Sequence, residues 1–313
     1  MLKNKVILFL VFSSFFCLTG RTPENVKNFE GKVLEKEIDF DGKERKYRIY
    51  LPKDYVSTRK YPLIFGLHGG GGTGEHFNKL TTSNYMADKY GVVMVYPDGW
   101  KKHWNDGRSK GDTSINDVGF LDLIVNKMVQ NYSIDKTRVY SMGISNGGLM
   151  SFRLACERSN TFTAMASVVA LMGEELSENC KPNQPVSVYL LPGTDDPLIP
   201  YQGGDITGPF GKKKLGEVLS AKNTLLFWSK LNGCYGNSQK TVMDTIPDDG
   251  TSVKREIISQ CSNGAEVRMD TIVNGGHTWP QGWQYFGEWV IGKTSQEINA
   301  TEEIFRFLLR FHK

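Results

Sequence analysis

The chain is 313 residues long, 39% hydrophobic, 12% aromatic and 23% charged. These proportions exclude a disordered, collagen-like or coiled-coil chain and suit one large α/β core or two smaller domains. The formal net charge of +4 is too small for a nucleic-acid footprint, which needs clustered basic charge. The one dense basic run, Lys212-Lys213-Lys214, reads as a solvated loop.

Residues 1–20 read as an export signal. Met1 to Lys5 is basic, Val6 to Leu18 is an apolar run of 13 residues, and the small residues Thr19 and Gly20 follow. That run is too short for a comfortable bilayer span, and no later run is long enough, so no membrane span is expected. Cys17 follows Ser14-Phe15-Phe16 without the small residues that lipidation needs. Without Lys3 and Lys5 the mature charge is nearer +2. Four cysteines then remain: Cys156, Cys180, Cys234 and Cys261. An oxidising compartment makes disulfides plausible, and nearest-neighbour pairing, Cys156–Cys180 with Cys234–Cys261, closes two modest loops. None of the four lies in a CxxC pair, so no zinc site is expected.

Residues 21–30 are polar and read as a flexible lead-in to a catalytic domain over 31–313. Lys32–Phe40 and Glu44–Leu51 alternate like strands around Asp41-Gly42, a strong hairpin signal. Leu63–Leu67 is a short apolar run, as in a strand buried on both faces. A polar helix is predicted over about 75–90, then a strand at Val92–Tyr96. Phe120, Leu121, Ile124, Met128 and Val129 recur at helical spacing. A strand at Arg138–Met142 precedes a helix over Asn146–Glu157. Strands follow at Ala164–Ala170 and Val186–Leu191, then a helix around Leu215–Leu231. Strands near Val253–Ser259 and Val267–Val273 precede a closing helix over about 296–311. Alternating strands and helices predict a mostly parallel central sheet with helices on both faces and an antiparallel N-terminal hairpin.

Gly143-Ile144-Ser145-Asn146-Gly147 is G-x-S-x-G between a predicted strand and helix, the context of a nucleophile elbow. Small flanking residues let the turn close and leave the Ser145 hydroxyl exposed. The helix behind it offers N–H groups and a positive dipole end to a developing oxyanion. A serine needs a base. Of five histidines, His277 follows a strand and Gly275-Gly276, on a loop that can present it. His68 shapes a glycine-rich loop, His76 and His103 read as exposed, and His312 lies in the tail. The base needs a carboxylate to fix its tautomer. Asp195 and Asp196, after the strand Val186–Leu191, are both candidates, with Asp196 favoured. His68-Gly69-Gly70-Gly71-Gly72 follows a buried strand, as does the loop that supplies the second oxyanion donor in hydrolases with such an elbow. The Gly70 and Asn146 N–H groups are the expected pair, with Gly71 as the alternative to Gly70. Gly69, Gly71 and Gly74 also match G-x-G-x-x-G, but two strands precede them and a nucleotide fold would leave Ser145 and His277 unexplained. Glu75 after Gly74 rules out a P-loop. Trp104 and Trp279 are expected to line the substrate pocket.

Taken together, these stretches resemble the exported α/β-hydrolase esterases grouped as polyhydroxybutyrate depolymerase-like and feruloyl esterase-like proteins. The resemblance rests on Leu67–Gly72, Tyr96-Pro97-Asp98-Gly99, Asp117-Val118-Gly119-Phe120 and Gly143–Gly148, and on Gly193-Thr194-Asp195-Asp196-Pro197 with Pro200-Tyr201. Asn232-Gly233-Cys234 and Gly275-Gly276-His277-Thr278-Trp279-Pro280 complete it, in the family's order. It implies the α/β-hydrolase fold, selects Asp196 as the acid before the proline, and pairs Cys234 with Cys261. Lys101-Lys102-His103 departs from the pattern by making its loop unusually basic.

The expected protein is a secreted, monomeric serine carboxylesterase with Ser145, His277 and Asp196 as its triad and no cofactor or metal. Feruloyl or acetyl esters of plant polysaccharides are the favoured substrates. Polyhydroxyalkanoate is second, since no separate polymer-binding domain is expected. A serine peptidase or a non-catalytic binder comes after these, and the binder has no need of a complete Ser/Asp/His set.

Overall fold

The computed structural model describes residues 29–208 and 214–313. The predicted leader, Cys17 and the first two lysines of the basic run lie outside the described residues. Lys214 of that run is exposed and pairs with Asp205 at 2.6 Å.

The sheet strands, in chain order, are β1 (Lys32–Phe40), β2 (Lys43–Leu51), β3 (Tyr61–Leu67), β4 (Val93–Pro97), β5 (Ile134–Ile144), β6 (Ala164–Val168) and β7 (Ser187–Leu191). The short strands β8 (Gly204–Asp205) and β9 (Glu217–Val218) pair with each other, and β10 (Gln239–Met243), β11 (Ser252–Ile258) and β12 (Val267–Val273) return to the main sheet. The main sheet runs β1-β2-β4-β3-β5-β6-β7-β12-β11-β10. Its centre, from β4 to β12, is parallel, and both edges are antiparallel. The hairpin turns at Asp41 (φ 53°) and Gly42 (φ 68°), the two positive φ values that a type I′ turn requires.

The central strands are buried on both faces because successive side chains point to opposite sides. Ile64, Met94 and Tyr140 pack toward α1 (Gly74–Thr81), α2 (Ser83–Tyr90) and the last helix, α8 (Ala300–Leu308). Leu63, Val93 and Val139 pack on the other side, toward α3 (Asp117–Asn131). That second side also carries α4 (Asn146–Glu157), the short α5 (Glu174–Asn179) and α6 (Ala221–Leu231), with Trp228 of α6 fully buried. A short helix, α7 (Glu288–Ile291), lies in the loop before α8. No helix among the described residues is long and apolar enough to cross a membrane.

Three helix expectations need correction. The helix predicted over 75–90 is two helices, broken at Thr82, which adopts φ 51°. Polar side chains compete with the helix there: Asn78 Oδ1 accepts from the Asn84 N–H, and Thr81 Oγ1 donates to the Phe77 carbonyl. The helix predicted from Leu215 starts at Ala221, because β9 occupies 217–218 and Ser220 caps the helix through the Asn223 N–H. The closing helix spans only Ala300–Leu308, started by the Asn299 side chain on the Glu302 N–H. The edge strand β10, exposed and weakly patterned, gave no sequence signal.

Chain order along the sheet reverses beside β3. β4 lies on one side of it and β5 on the other, both parallel to it. In open α/β sheets such a switch point opens a crevice at the carboxyl ends of the strands. The loops after β3, β5, β7 and β12 carry His68–Gly72, Ser145, Asp196 and His277 to that end. Both cystines pair as nearest neighbours, Cys156–Cys180 and Cys234–Cys261.

Candidate active site

Ser145 sits between β5 and α4 with φ 54° and ψ −123°, a conformation that costs a non-glycine residue energy. Two bonds hold it there. The Ser145 N–H donates to the Val168 carbonyl at 3.0 Å, and its carbonyl accepts from the Leu149 N–H at 2.9 Å. The turn closes only because its neighbours lack side chains. A Cβ on Gly143 would collide with the Gly147 carbonyl, and one on Gly147 with the Leu67 carbonyl. Ser145 is thereby lifted, partly exposed, into a cavity of about 590 Å³.

His277 faces the same cavity. Its Nδ1 donates to Asp196 Oδ2 at 2.7 Å, which leaves Nε2 turned away from the carboxylate. The other oxygen, Asp196 Oδ1, accepts from the Leu198 and Ile199 N–H groups at 2.8 and 2.9 Å. Both side chains are almost fully buried. The histidine backbone is strapped down as well: its N–H donates to the Ile291 carbonyl, and its carbonyl accepts from the Tyr285 hydroxyl. Asp195, the other candidate acid, is exposed, and its carboxylate accepts from the Thr194 hydroxyl at 2.9 Å.

The glycine-rich loop is wired by His68. This ring is buried, and burial pushes its pKa down to about 4, so it is neutral near pH 7. Its Nε2 accepts from the Gly99 N–H at 2.9 Å, so Nδ1 carries the proton and donates to the Gly69 carbonyl at 2.8 Å. The Gly71 N–H donates to the Lys102 carbonyl and the Gly72 N–H to the Gly69 carbonyl. The Gly70 N–H makes no such backbone bond among the described residues. A Cβ on Gly70 would lie 4.0 Å from Asn146 Cβ, so the two expected donors are neighbours.

Neither predicted tryptophan lines the cavity. Trp279 is 1% exposed, donates its indole N–H to Thr301 and packs edge-on against Phe77 at 5.5 Å, and it is Phe77 that faces the cavity. Trp104 is 3% exposed and donates its indole N–H to the His68 carbonyl. Its backbone is clasped by the Asn146 side chain, which also donates to Asp106 at 2.6 Å. The aromatic lining comes instead from Trp283, Tyr285 and Phe286. His76 and His103, read as exposed, are exposed and also line the cavity, together with Arg108. Arg108 is held by both oxygens of Asp106 and by the Leu215 carbonyl. Apart from His76 on α1, these residues lie on loops without periodicity.

The stretch Asp117–Phe120 is a structural staple. Buried Asp117 accepts from Arg45 at 2.6 Å and from the Asn105 N–H at 2.7 Å, and the Arg45 guanidinium lies 3.9 Å from the Phe120 ring centroid.

Residues 45–179 match the esterase PHB depolymerase family. NocK of Nocardia uniformis subsp. tsuyamanensis, named as an esterase, is 28% identical over 90% of this chain and 83% of its own length. Feruloyl esterase B of Piromyces equi is 26% identical over 77% of this chain. The chain spans only 44% of that relative. Among solved structures, a thermostable esterase matches 91% of this chain and 64% of its own with a TM-score of 0.57 at 17% identity, which speaks for the fold. The chain has the α/β-hydrolase fold and is similar to the polyhydroxybutyrate depolymerase-like and feruloyl esterase-like esterases, a likeness that supports carboxylic ester hydrolysis as its chemistry.

Proposed function

We propose that the chain hydrolyses feruloyl or acetyl esters of plant polysaccharides through an acyl-enzyme on Ser145. The observation that carries this reading is the pairing of His277 with Asp196 across a cavity that also receives Ser145 on a strained elbow. His277 Nε2 takes the Ser145 proton as Oγ attacks the ester carbonyl. Asp196 holds the ring in the tautomer with Nδ1 protonated and stabilises the imidazolium. The Gly70 and Asn146 N–H groups hold the oxyanion. His277 returns the proton to the leaving alcohol, and a water then attacks the acyl-enzyme with the same histidine as base.

The named activity of the Piromyces relative supports a feruloyl ester. The cavity volume lies within the range of pockets that enclose a small aromatic acid, and Phe77, Tyr285 and Phe286 give it aromatic walls. The matched family's name favours a second reading, hydrolysis of polyhydroxybutyrate. The two cystines support export to an oxidising compartment.

A panel of methyl ferulate, acetylated xylan and soluble hydroxybutyrate oligomers tests the reading. The highest kcat/KM is expected on methyl ferulate or acetylated xylan. Highest activity on the hydroxybutyrate oligomers would overturn it in favour of the polyester.

A further inference from the structure

The segment from Gln281 to Ile291 forms one rim of the cavity and exposes an unusual amount of aromatic surface. Trp283 is 47% exposed, Phe286 43% and Trp289 86%. Leaving an indole in water forfeits a large burial energy. Scattered single exposures are ordinary, but three within seven residues, two of them on the cavity wall, concentrate exposed aromatic surface on one segment.

The rim is held in shape. Gln284 Nε2 donates to the Phe286 and Gly292 carbonyls at 2.8 and 2.9 Å, and Gln284 Oε1 accepts from the Thr294 hydroxyl. Val290 and Ile291 are buried against Leu198, which anchors the far end. Trp283 meets Tyr285 edge-on at 6.1 Å, and Tyr285 meets Phe286 edge-on at 5.7 Å. The rings thus continue from the Tyr285 hydroxyl, bonded to the His277 carbonyl, out to the surface. The Trp289 indole lies against Gly287, where a Cβ would sit 2.6 Å from Nε1 and 2.9 Å from Cδ1. One side of the indole is therefore backed by the chain while most of the side chain stays open to solvent.

We propose that Trp283, Phe286 and Trp289 form a carbohydrate-binding strip that takes the sugar chain carrying the scissile ester. The assignment rests on the polysaccharide-ester reading above. A pyranose ring presents a flat face of C–H groups to an aromatic ring and hydroxyls at its edge. Glu288, beside Trp289, is exposed and forms no ion pair among the described residues. Its carboxylate can accept from sugar hydroxyls. A polyester main chain offers only acceptors, to which a carboxylate adds nothing. Trp283 and Phe286 line the cavity and Trp289 follows three residues later on the same segment, so a chain lying along it delivers a pendant ester to Ser145.

Affinity electrophoresis of the full chain in native gels containing soluble arabinoxylan tests the strip, with kcat/KM on methyl ferulate measured in parallel. Wild type should be retarded. Trp289→Ala should weaken arabinoxylan binding by about fivefold or more, while Trp289→Phe, which keeps an aromatic face, retains most of it. Methyl ferulate, too short to reach the strip, should be turned over by Trp289→Ala within about twofold of wild type. Equal retardation of wild type and Trp289→Ala would overturn the proposal. So would binding to polyhydroxybutyrate granules that Trp289→Ala abolishes while arabinoxylan binding is unchanged. A parallel loss on methyl ferulate would also overturn it, by placing the effect in the cavity. If the chain hydrolyses neither methyl ferulate nor acetylated xylan but Trp289→Ala still releases arabinoxylan, the substrate reading fails and the strip stands.

Discussion

Two buried aspartates, Asp196 after β7 and Asp270 on the adjacent β12, have surroundings that differ in kind. Asp270 accepts from Arg268 at 2.6 Å, Arg255 at 2.7 Å and the Tyr189 hydroxyl at 2.6 Å, and Glu303 balances the second guanidinium. Burial alone would raise the Asp270 pKa, but the two arginines outweigh it and hold the carboxyl below its usual range. Asp196 has no arginine partner among the described residues. Two backbone N–H groups and one imidazole are its partners. Arginine keeps its proton at any working pH, whereas histidine gains and loses one. A carboxylate saturated by fixed cations can only hold the fold together. A carboxylate bonded to an imidazole can stabilise a charge that appears during a reaction.

That contrast assigns opposite consequences to the same substitution. Asp196→Asn should lower turnover by about 10⁴, because the amide favours the wrong tautomer of His277. Asp195→Asn, on an exposed carboxylate, should stay within about threefold of wild type. Similar losses in the two variants, measured as kcat on an aryl ester, would remove Asp196 from the site.

Asp270→Asn should do the reverse. Leaving the buried Arg268 and the half-buried Arg255 with Glu303 as their only carboxylate should cost up to about 3 kcal/mol in stability. Urea unfolding reads that loss. The kcat of the folded fraction should remain near wild type, and a fall in kcat at a temperature where the variant is folded would break the contrast.

A pH-dependent effect belongs to His68, a histidine without a carboxylate partner. Its pKa of about 4 when folded lies below the ordinary value of about 6.5. Between these values the unfolded chain binds the extra proton and the folded chain does not, so stability is full above about pH 6.5 and is lost as the pH falls toward 4. The loss amounts to about 3 kcal/mol. Comparing denaturation curves of wild type and His68→Gln across this window isolates the term. Parallel curves would show that the ring does not titrate there.

The placing of Ser145 and His277 at the carboxyl end of the sheet was legible because each follows a strand and sits beside glycines, a pattern local to the chain. Ser145 needs Gly143 and Gly147 beside it, and His277 follows Gly275-Gly276. The alternation of apolar runs likewise announced most of the sheet. The pocket walls were not legible. Trp279 and Trp283 are four residues apart and chemically identical, yet one is 1% exposed and the other 47%. Packing against Phe77 and the indole bond to Thr301 cover Trp279, contacts made by residues far from it in the chain. The split at Thr82 and the late start of α6 depend on side-chain bonds to backbone N–H groups, which hydrophobic periodicity does not register.

The central claim is that Ser145 is the nucleophile. Reaction of wild type and Ser145→Ala with a fluorophosphonate probe, followed by peptide mapping, tests it most directly. The account predicts one adduct on the peptide containing Ser145 and none on the variant. An adduct that persists in Ser145→Ala, or that maps to another serine in wild type, would contradict it.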